Sequence, residues 1–183
     1  FNTELMTESD VSKGMLAGVQ EVLRVVPGLH KESLLNAVFV DKKISITMWN
    51  KIYRAEIVKN AFLQVPDGRF VYGEDVYITF LCMYYAKSLL CDARPCYKYR
   101  VGNGISTAAT LTPEKMKAMC SSAILSKNVR AFLEDNGCYD IYKNAWKSYD
   151  YMLRNDCIHR WLDLAAPASK AEVFDILSDA WNA

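Results

Sequence analysis

The run of residues 75 to 88, which begins at the second of two adjacent acids, Glu74 and Asp75, is the segment that most constrains the fold. The run is long enough for a helix, and apolar or aromatic residues occupy most of its circumference. A helix of this kind is buried on most of its sides. The rest of the chain must therefore enclose it, and 183 residues suffice for one domain of ordinary size with a core.

The segments in the first part of the chain predict a mixture of helices and strands. Helical patterns cover residues 7 to 28 and 31 to 39, and one or two helical turns fit residues 51 to 62. Residues 43 to 49 alternate between apolar and polar side chains, which favours a strand. Residues 89 to 101 favour one or two further strands.

The remainder of the chain is predicted to be helical. One helix is expected over residues 112 to 137, with Thr112 as its N-cap and Asn136-Gly137 as its stop signal. Another begins at Asp140 and presents one apolar stripe, which consists of Ile141, Ala145, Tyr149, Met152 and Leu153. A last helix covers residues 169 to 181.

The predicted fold class is therefore mixed α/β, with more helix than strand. We expect a domain boundary after residue 111, with the mixed section in residues 1 to 111 and a helical region in residues 112 to 183. We also expect Asp75 to lie at a helix start or within two residues of one.

Charge and hydropathy bear on two classes of function. Lys and Arg number 22 and Asp and Glu number 21, which gives a formal net charge of +1 without any block of like charges. Nucleic acid is therefore not an expected partner, because its binding needs a basic surface. The longest apolar run, residues 78 to 86, is too short to span a bilayer.

Six cysteines are spread along the chain without any C-x-x-C pair. Only two histidines could join them, and neither has the spacing of a zinc site. We expect reduced thiols in a cytoplasmic protein, with Cys91 and Cys96 not bridged.

The two acids before the apolar run have two alternative roles. An acid in the first turn of a helix accepts hydrogen bonds from free backbone N–H groups and is stabilised by the helix dipole. The other role is that of a catalytic carboxylate at the edge of a cleft. The dipeptide alone does not decide, because a second acidic pair, Glu134-Asp135, lies at a predicted helix end and needs no function.

Aromatic and charged residues flank the acids in a definite order. Taken singly, the aromatic members could be core or strand residues, and the charged members could form a solvated face. The set consists of Trp49, Lys51, Tyr53 and Arg54 before the acids and of Tyr97, Tyr99, Arg100 and Ser106 after them. In this order and spacing, the chain resembles the second half of the family 2 glycosyltransferases with the GT-A fold, over roughly residues 40 to 107.

The resemblance implies transfer of a sugar from a nucleotide-sugar to an acceptor hydroxyl, with inversion at the anomeric carbon. Asp75 would be the base that takes the hydroxyl proton, and Glu74 its neighbour or a ligand of the acceptor. Asp75 could do this and still cap its helix. Trp49 would stack on a sugar face, and Arg100 would offset the charge of the departing diphosphate. The other substrate-binding candidates are Lys51, Tyr99 and Ser106.

One departure from the family pattern concerns the donor side. The family holds the nucleotide on an N-terminal parallel α/β half that ends in an Asp-x-Asp metal motif, and this chain has no Asp-x-Asp. No strand–loop–helix unit of that kind is expected before residue 40. We therefore expect the C-terminal part of a larger enzyme, inactive alone, whose divalent metal (Mn or Mg) is bound by ligands mostly outside this chain.

The implied partners are a nucleotide-sugar donor and a sugar or lipid-linked acceptor, in bacterial polysaccharide or glycolipid biosynthesis. Peripheral contact with a membrane surface is a further expectation. Strands near residues 44 to 50 and 88 to 101 would lack sheet neighbours, so the isolated chain is expected to form a homo-oligomer. Two alternatives stay open: a non-catalytic helical interaction module, and a degenerate transferase that binds sugar without turning it over.

Overall fold

A computed structural model describes residues 2–7, 13–23, 26–31, 33–101 and 110–182. The helices are α1 (Lys13–Leu23), α2 (Leu34–Phe39), α3 (Ala55–Phe62), α4 (Glu74–Tyr85), α5 (Pro113–Met119), α6 (Ser121–Asp135), α7 (Tyr139–Leu164) and α8 (Lys170–Asn182). The strands are β1 (Asn2–Thr7), β2 (Gly28–His30), β3 (Leu89–Cys91) and β4 (Pro95–Val101). The prediction of a mixed α/β fold with more helix than strand is confirmed.

The chain divides into two compact units. The first consists of Phe1–Gln64 and Ile78–Thr107, and the second of Val65–Tyr77 and Ala108–Ala183. Helix α4 contributes residues to both units. Every residue from 76 to 83 is buried, so the prediction of an apolar helix enclosed on most sides is confirmed.

Two small sheets lie in the first unit. Strands β1 and β4 run parallel, with Thr3 opposite Tyr97 and Leu5 opposite Tyr99. Strands β2 and β3 run antiparallel. We expected no strand–loop–helix unit of the nucleotide-binding kind before residue 40, but the structure places a strand and then a helix there, β1 and α1. Strand β1 was missed because its six residues are stabilised by pairing with a strand about ninety residues further along the chain.

The predicted strand over residues 43 to 49 is wrong. This segment follows an irregular path, and Ser45 and Thr47, which the alternation placed on a polar face, are both buried. Their hydroxyl groups lie 2.7 Å apart in a hydrogen bond. Their backbone carbonyls accept hydrogen bonds from the ammonium group of Lys51. Because this single side chain satisfies carbonyls that a strand would pair with a neighbour, the segment needs no sheet partner.

The second unit contains α5 to α8, and its core consists of Leu111, Met116, Cys120, Cys157, Val173 and Leu177. Thr112 caps α5 as predicted, since its hydroxyl accepts a hydrogen bond from the Lys115 N–H. The single helix expected over residues 112 to 137 is interrupted at Cys120. The two hydroxyl groups that follow, of Ser121 and Ser122, donate to the carbonyls of residues 118 and 119 at 2.7 Å. Such side-chain bonds compete with the helical ladder and shift the helix axis.

Helix α6 ends at the predicted Asn136-Gly137 signal. Gly137 has a φ of 63°, and its N–H donates to the Glu134 carbonyl while the Cys138 N–H donates to the Leu133 carbonyl. This is a Schellman motif. Helix α7 follows at once, and its buried residues include Ala145, Tyr149 and Leu153 of the predicted stripe, whereas Ile141 is 69% exposed, so its assignment to that stripe is wrong.

Among the described residues, none of the helices combines the length and the apolar composition that crossing a bilayer requires. All six cysteines, Cys91 and Cys96 included, carry free thiols.

Candidate active site

The two acids open helix α4, as the sequence predicts. Gly73 precedes them with a φ of 83°, and its carbonyl accepts the Tyr77 N–H at 2.9 Å, which closes the first turn of the helix. Glu74 is the first helical residue and is exposed, whereas Asp75 is the second and is half-buried. The Asp75 Oδ1 atom accepts the Val76 N–H at 2.8 Å. Asp75 therefore caps a free backbone donor at the positive end of the helix dipole.

The turn before the acids is bound to helix α7. The Tyr72 hydroxyl donates to Asp156 Oδ2 at 2.5 Å, and Arg160 Nε donates to the same oxygen at 2.7 Å. The Arg160 guanidinium also lies 5.7 Å from the centre of the Tyr72 ring. Burial, together with the negative charge of Asp156, raises the pKa of Tyr72 well above its ordinary value. Tyr72 therefore stays a neutral donor to the carboxylate.

A second tyrosine, Tyr149 of α7, lies within electrostatic reach of Asp75. Tyr149 is fully buried. Burial raises its pKa well above the ordinary value, and the charges of Tyr77, Asp75 and Asp150 raise it further. The polar residues of α7 that lie near the acids were not predicted from the sequence. The interruption of the apolar stripe by Asp156 and Arg160 was the available signal, but helix surfaces carry such pairs routinely.

Three aromatic residues of the resemblance meet in the first unit. The Trp49 indole stacks on the Tyr99 ring at 4.7 Å with an interplanar angle of 3°, and it lies 4.8 Å from the Tyr97 ring. Tyr97 and Tyr99 share one face of β4, because side chains two residues apart in a strand point the same way. One face of the indole is therefore covered by Tyr99.

Lys51 follows Trp49 by two residues, and its side chain is bound by the protein. Its ammonium donates to the Ser45 carbonyl at 2.6 Å, to the Thr47 carbonyl and to Asn50 Oδ1 at 2.9 Å. An ammonium has three N–H donors, and three protein oxygens accept them. Lys51 thus stabilises the irregular segment of residues 43 to 49. Its role as a substrate ligand stays a prediction.

A cleft of about 240 Å³ adjoins Lys51 in the first unit. Its walls come from the segment around Lys51 and from β3 and its neighbours, namely Ile44, Asn50, Lys51, Ile52, Leu89, Leu90, Cys91, Asp92 and Cys96. The Asp92 carboxylate in the wall binds Arg94 at 2.5 Å, and this pairing lowers the pKa of Asp92 to about 2. The cleft walls are therefore mainly apolar, with their charged groups bound to protein partners.

The other predicted residues take different positions. Arg100 is exposed and lies on the face of β4 opposite to Tyr99, because adjacent side chains in a strand point to opposite faces. Burial, and to a smaller extent the neighbouring Cys82 of α4, raises the pKa of Tyr53. Arg54 precedes α3 as its N-terminal flanking residue and is exposed. Ser106 lies outside the described residues.

The candidate residues thus fall into two groups. Trp49 and Tyr99 stack on each other in the first unit, to which Lys51 also belongs, and Glu74 and Asp75 belong to the second. Within the described part of the chain, no three or more His, Cys, Asp or Glu side chains form a group that could hold a metal ion. The divalent metal that the resemblance implies therefore has no candidate site among the described residues.

The chain is similar in sequence to a protein of Bacillus subtilis (strain 168) described as "Putative glycosyltransferase EpsH". The two are 24% identical over 154 residues, which cover 83% of this chain and 42% of that protein. The chain therefore spans less than half the length of the relative it matches. No protein-family model and no solved structure matches the chain. The chain is thus distantly similar to a protein described as a putative glycosyltransferase.

Proposed function

We propose that this chain is the acceptor-side part of an inverting glycosyltransferase of the GT-A type, related to family 2. The observation that carries the proposal is the similarity to a protein described as a putative glycosyltransferase, which extends over 83% of the chain. The order of Trp49, Lys51, the acids and the Tyr97-x-Tyr99-Arg100 strand supports the finer family.

In the proposed reaction, an acceptor hydroxyl attacks the anomeric carbon of a nucleotide-sugar. The new glycosidic bond forms as the bond to the nucleoside diphosphate breaks, and the hydroxyl proton passes to the Asp75 carboxylate. The position of Asp75 supports this role, because the N-terminus of α4 stabilises its ionised form and Gly73 fixes the turn that leads to it. Glu74, which is exposed beside it, would bind the acceptor hydroxyl.

The residues of the first unit would bind the substrates. The aromatic cluster of Trp49, Tyr97 and Tyr99 offers rings on which a sugar could stack, and the exposed Arg100 suits a diphosphate. We propose that Ser106 belongs to the same binding surface. The divalent metal of the family would be held by ligands mostly outside this chain, and none of the steps above is assigned to it.

The wider setting is proposed from the same similarity. The reaction would serve bacterial polysaccharide or glycolipid synthesis, at the cytoplasmic side of a membrane, with a sugar or lipid-linked acceptor. Each of the two sheets has only two described strands, so each strand keeps an unpaired edge, and such edges support self-association of the isolated chain.

The test is a donor-hydrolysis screen on the full-length gene product, with several nucleotide-sugars and manganese. We expect hydrolysis of one donor class, stimulated by an acceptor. The isolated chain of 183 residues should show no measurable donor affinity by calorimetry. Absence of hydrolysis and transfer with every donor, in a folded full-length protein, would favour the non-catalytic interaction module.

A further inference from the structure

Helix α7 presents one face to the segment that carries the acids. Tyr149, Leu153, Asp156 and Arg160 recur at spacings of four, three and four, so they lie on one side of the helix. Each of them touches or acts electrostatically on the segment from residue 72 to residue 77. One side of α7 thus contacts the segment at the start of α4 that carries the two acids.

The closest of these contacts surround the turn itself. An ideal Cβ at Gly73 would lie 3.0 Å from Leu153 Cδ2 and 3.4 Å from the Ser122 Cβ, which shows that the backbone of the turn approaches α6 and α7 as closely as a glycine permits. One residue earlier, the Tyr72 hydroxyl is bound to Asp156, 84 positions further along the sequence. Arg160 donates to the same carboxylate oxygen and holds it toward the tyrosine.

We propose that Tyr72 and Asp156 are positioning residues that fix the turn of residues 72 to 75 and thereby hold the Asp75 carboxylate in its catalytic position. The inference rests on the proposed role of Asp75 as the base. Helix N-termini fray, since their first N–H groups lack helical partners. A catalytic group, however, must be held within about 0.5 Å of its productive geometry. A charge-assisted hydrogen bond from the half-buried Tyr72, three residues before the base, supplies that restraint.

The first test measures the turn without reference to activity. Two amides report on it, because the Val76 N–H is bound by Asp75 and the Tyr77 N–H by Gly73. In Tyr72→Phe we expect amide hydrogen exchange at these two positions to rise about tenfold, the effect of losing one hydrogen bond to a charged group. Tyr151→Phe is the matched control, since Tyr151 lies on α7 and is 67% exposed. Unchanged exchange at both amides, or an equal rise throughout the chain, would overturn the inference.

The second test connects the turn to transfer in the full-length gene product. We expect Tyr72→Phe and Asp156→Ala each to lower kcat about tenfold with KM for the donor within about twofold, and the double variant to be no worse than the poorer single one. A merely structural role would lower the melting temperature and leave kcat of the folded fraction unchanged, which would overturn the inference. If the wild-type protein transfers no sugar, the proposed function fails instead, and amide exchange alone decides whether the turn is held.

Discussion

Replacing Gly73 by alanine should destabilise the protein in two ways, through backbone strain and through crowding of the core. The φ of 83° places this residue in a region that side chains disfavour by about 1–2 kcal/mol. The added Cβ would also lie 3.0 Å from a methyl group of Leu153, which is 2% exposed and has little room to move. Crowding of a packed core costs about 1–3 kcal/mol. We therefore expect Gly73→Ala to lower the free energy of unfolding by about 2–5 kcal/mol.

Two other glycines separate the cost of the positive φ from the cost of crowding the core. Gly137 has a φ of 63° but no atom within 4 Å of an added Cβ, so Gly137→Ala should cost only the conformational part, about 1 kcal/mol. Gly18 lies within α1 at an ordinary helical φ with open space around it, so Gly18→Ala should stabilise the protein by about 0.5–1 kcal/mol. Urea denaturation of the three variants measures the series. If Gly73→Ala costs no more than Gly137→Ala, the close approach of this turn to Leu153 is refuted.

Three further predictions follow from the first unit. Lys51→Met should lower the free energy of unfolding by about 2–3 kcal/mol because two buried carbonyls lose their donor. Lys59→Met, at an exposed site, should leave the free energy of unfolding nearly unchanged. If both variants lose the same free energy of unfolding in urea denaturation, Lys51 does not stabilise the irregular segment. Because Arg94 lowers the pKa of Asp92, the stabilisation from this pair is present above about pH 4 and is lost as the pH falls toward 2. Arg94→Ala should raise the pKa of Asp92 toward about 4 in a carboxyl NMR titration, and an unchanged pKa would contradict the pairing. Cys96, the one exposed cysteine of the six, should react with a thiol reagent in the native state while the others react on unfolding; fast reaction of several thiols would show that the buried set is accessible.

The helices were the most predictable part of the fold. The start of α4 at Glu74, the Thr112 cap and the Gly137 stop follow from local chemistry within a few residues, which a sequence displays directly. The break at Cys120 was not predicted, since a pair of serines inside a helical pattern interrupts it only when both hydroxyls turn back to the helix carbonyls.

The strands were less predictable because their stability is not local. Residues 43 to 49 alternate as a strand does. Lys51, however, donates hydrogen bonds to the backbone carbonyls of Ser45 and Thr47, which would otherwise pair with a neighbouring strand. Strand β1 has a weak pattern and exists through its parallel pairing with β4. Neither outcome can be derived from a window of neighbouring residues.

For the candidate site, the meeting of the aromatic residues could be predicted from the sequence, but the contacts that hold the turn before the acids could not. The aromatic residues of the resemblance do meet, because period-two alternation places Tyr97 and Tyr99 on one face where Trp49 packs. The bond between Tyr72 and Asp156 joins residues 84 positions apart, and only the packing of the second unit brings them together. A resemblance names candidate substrate residues, whereas the residues that support them depend on the particular packing of the chain.

The central claim is that Asp75 is a base and not only a helix cap, and one substitution separates these roles. Asparagine is also a good cap, so Asp75→Asn should change the free energy of unfolding by no more than about 1 kcal/mol while it removes the proton acceptor. In the full-length gene product we expect transfer to fall about a hundredfold or more, with donor affinity near normal. Glu74→Gln should lower transfer less, and Asp135→Asn, an exposed acid at a helix end, should not lower it at all. Near-full transfer by Asp75→Asn at saturating acceptor would contradict the account and leave Asp75 as a cap alone.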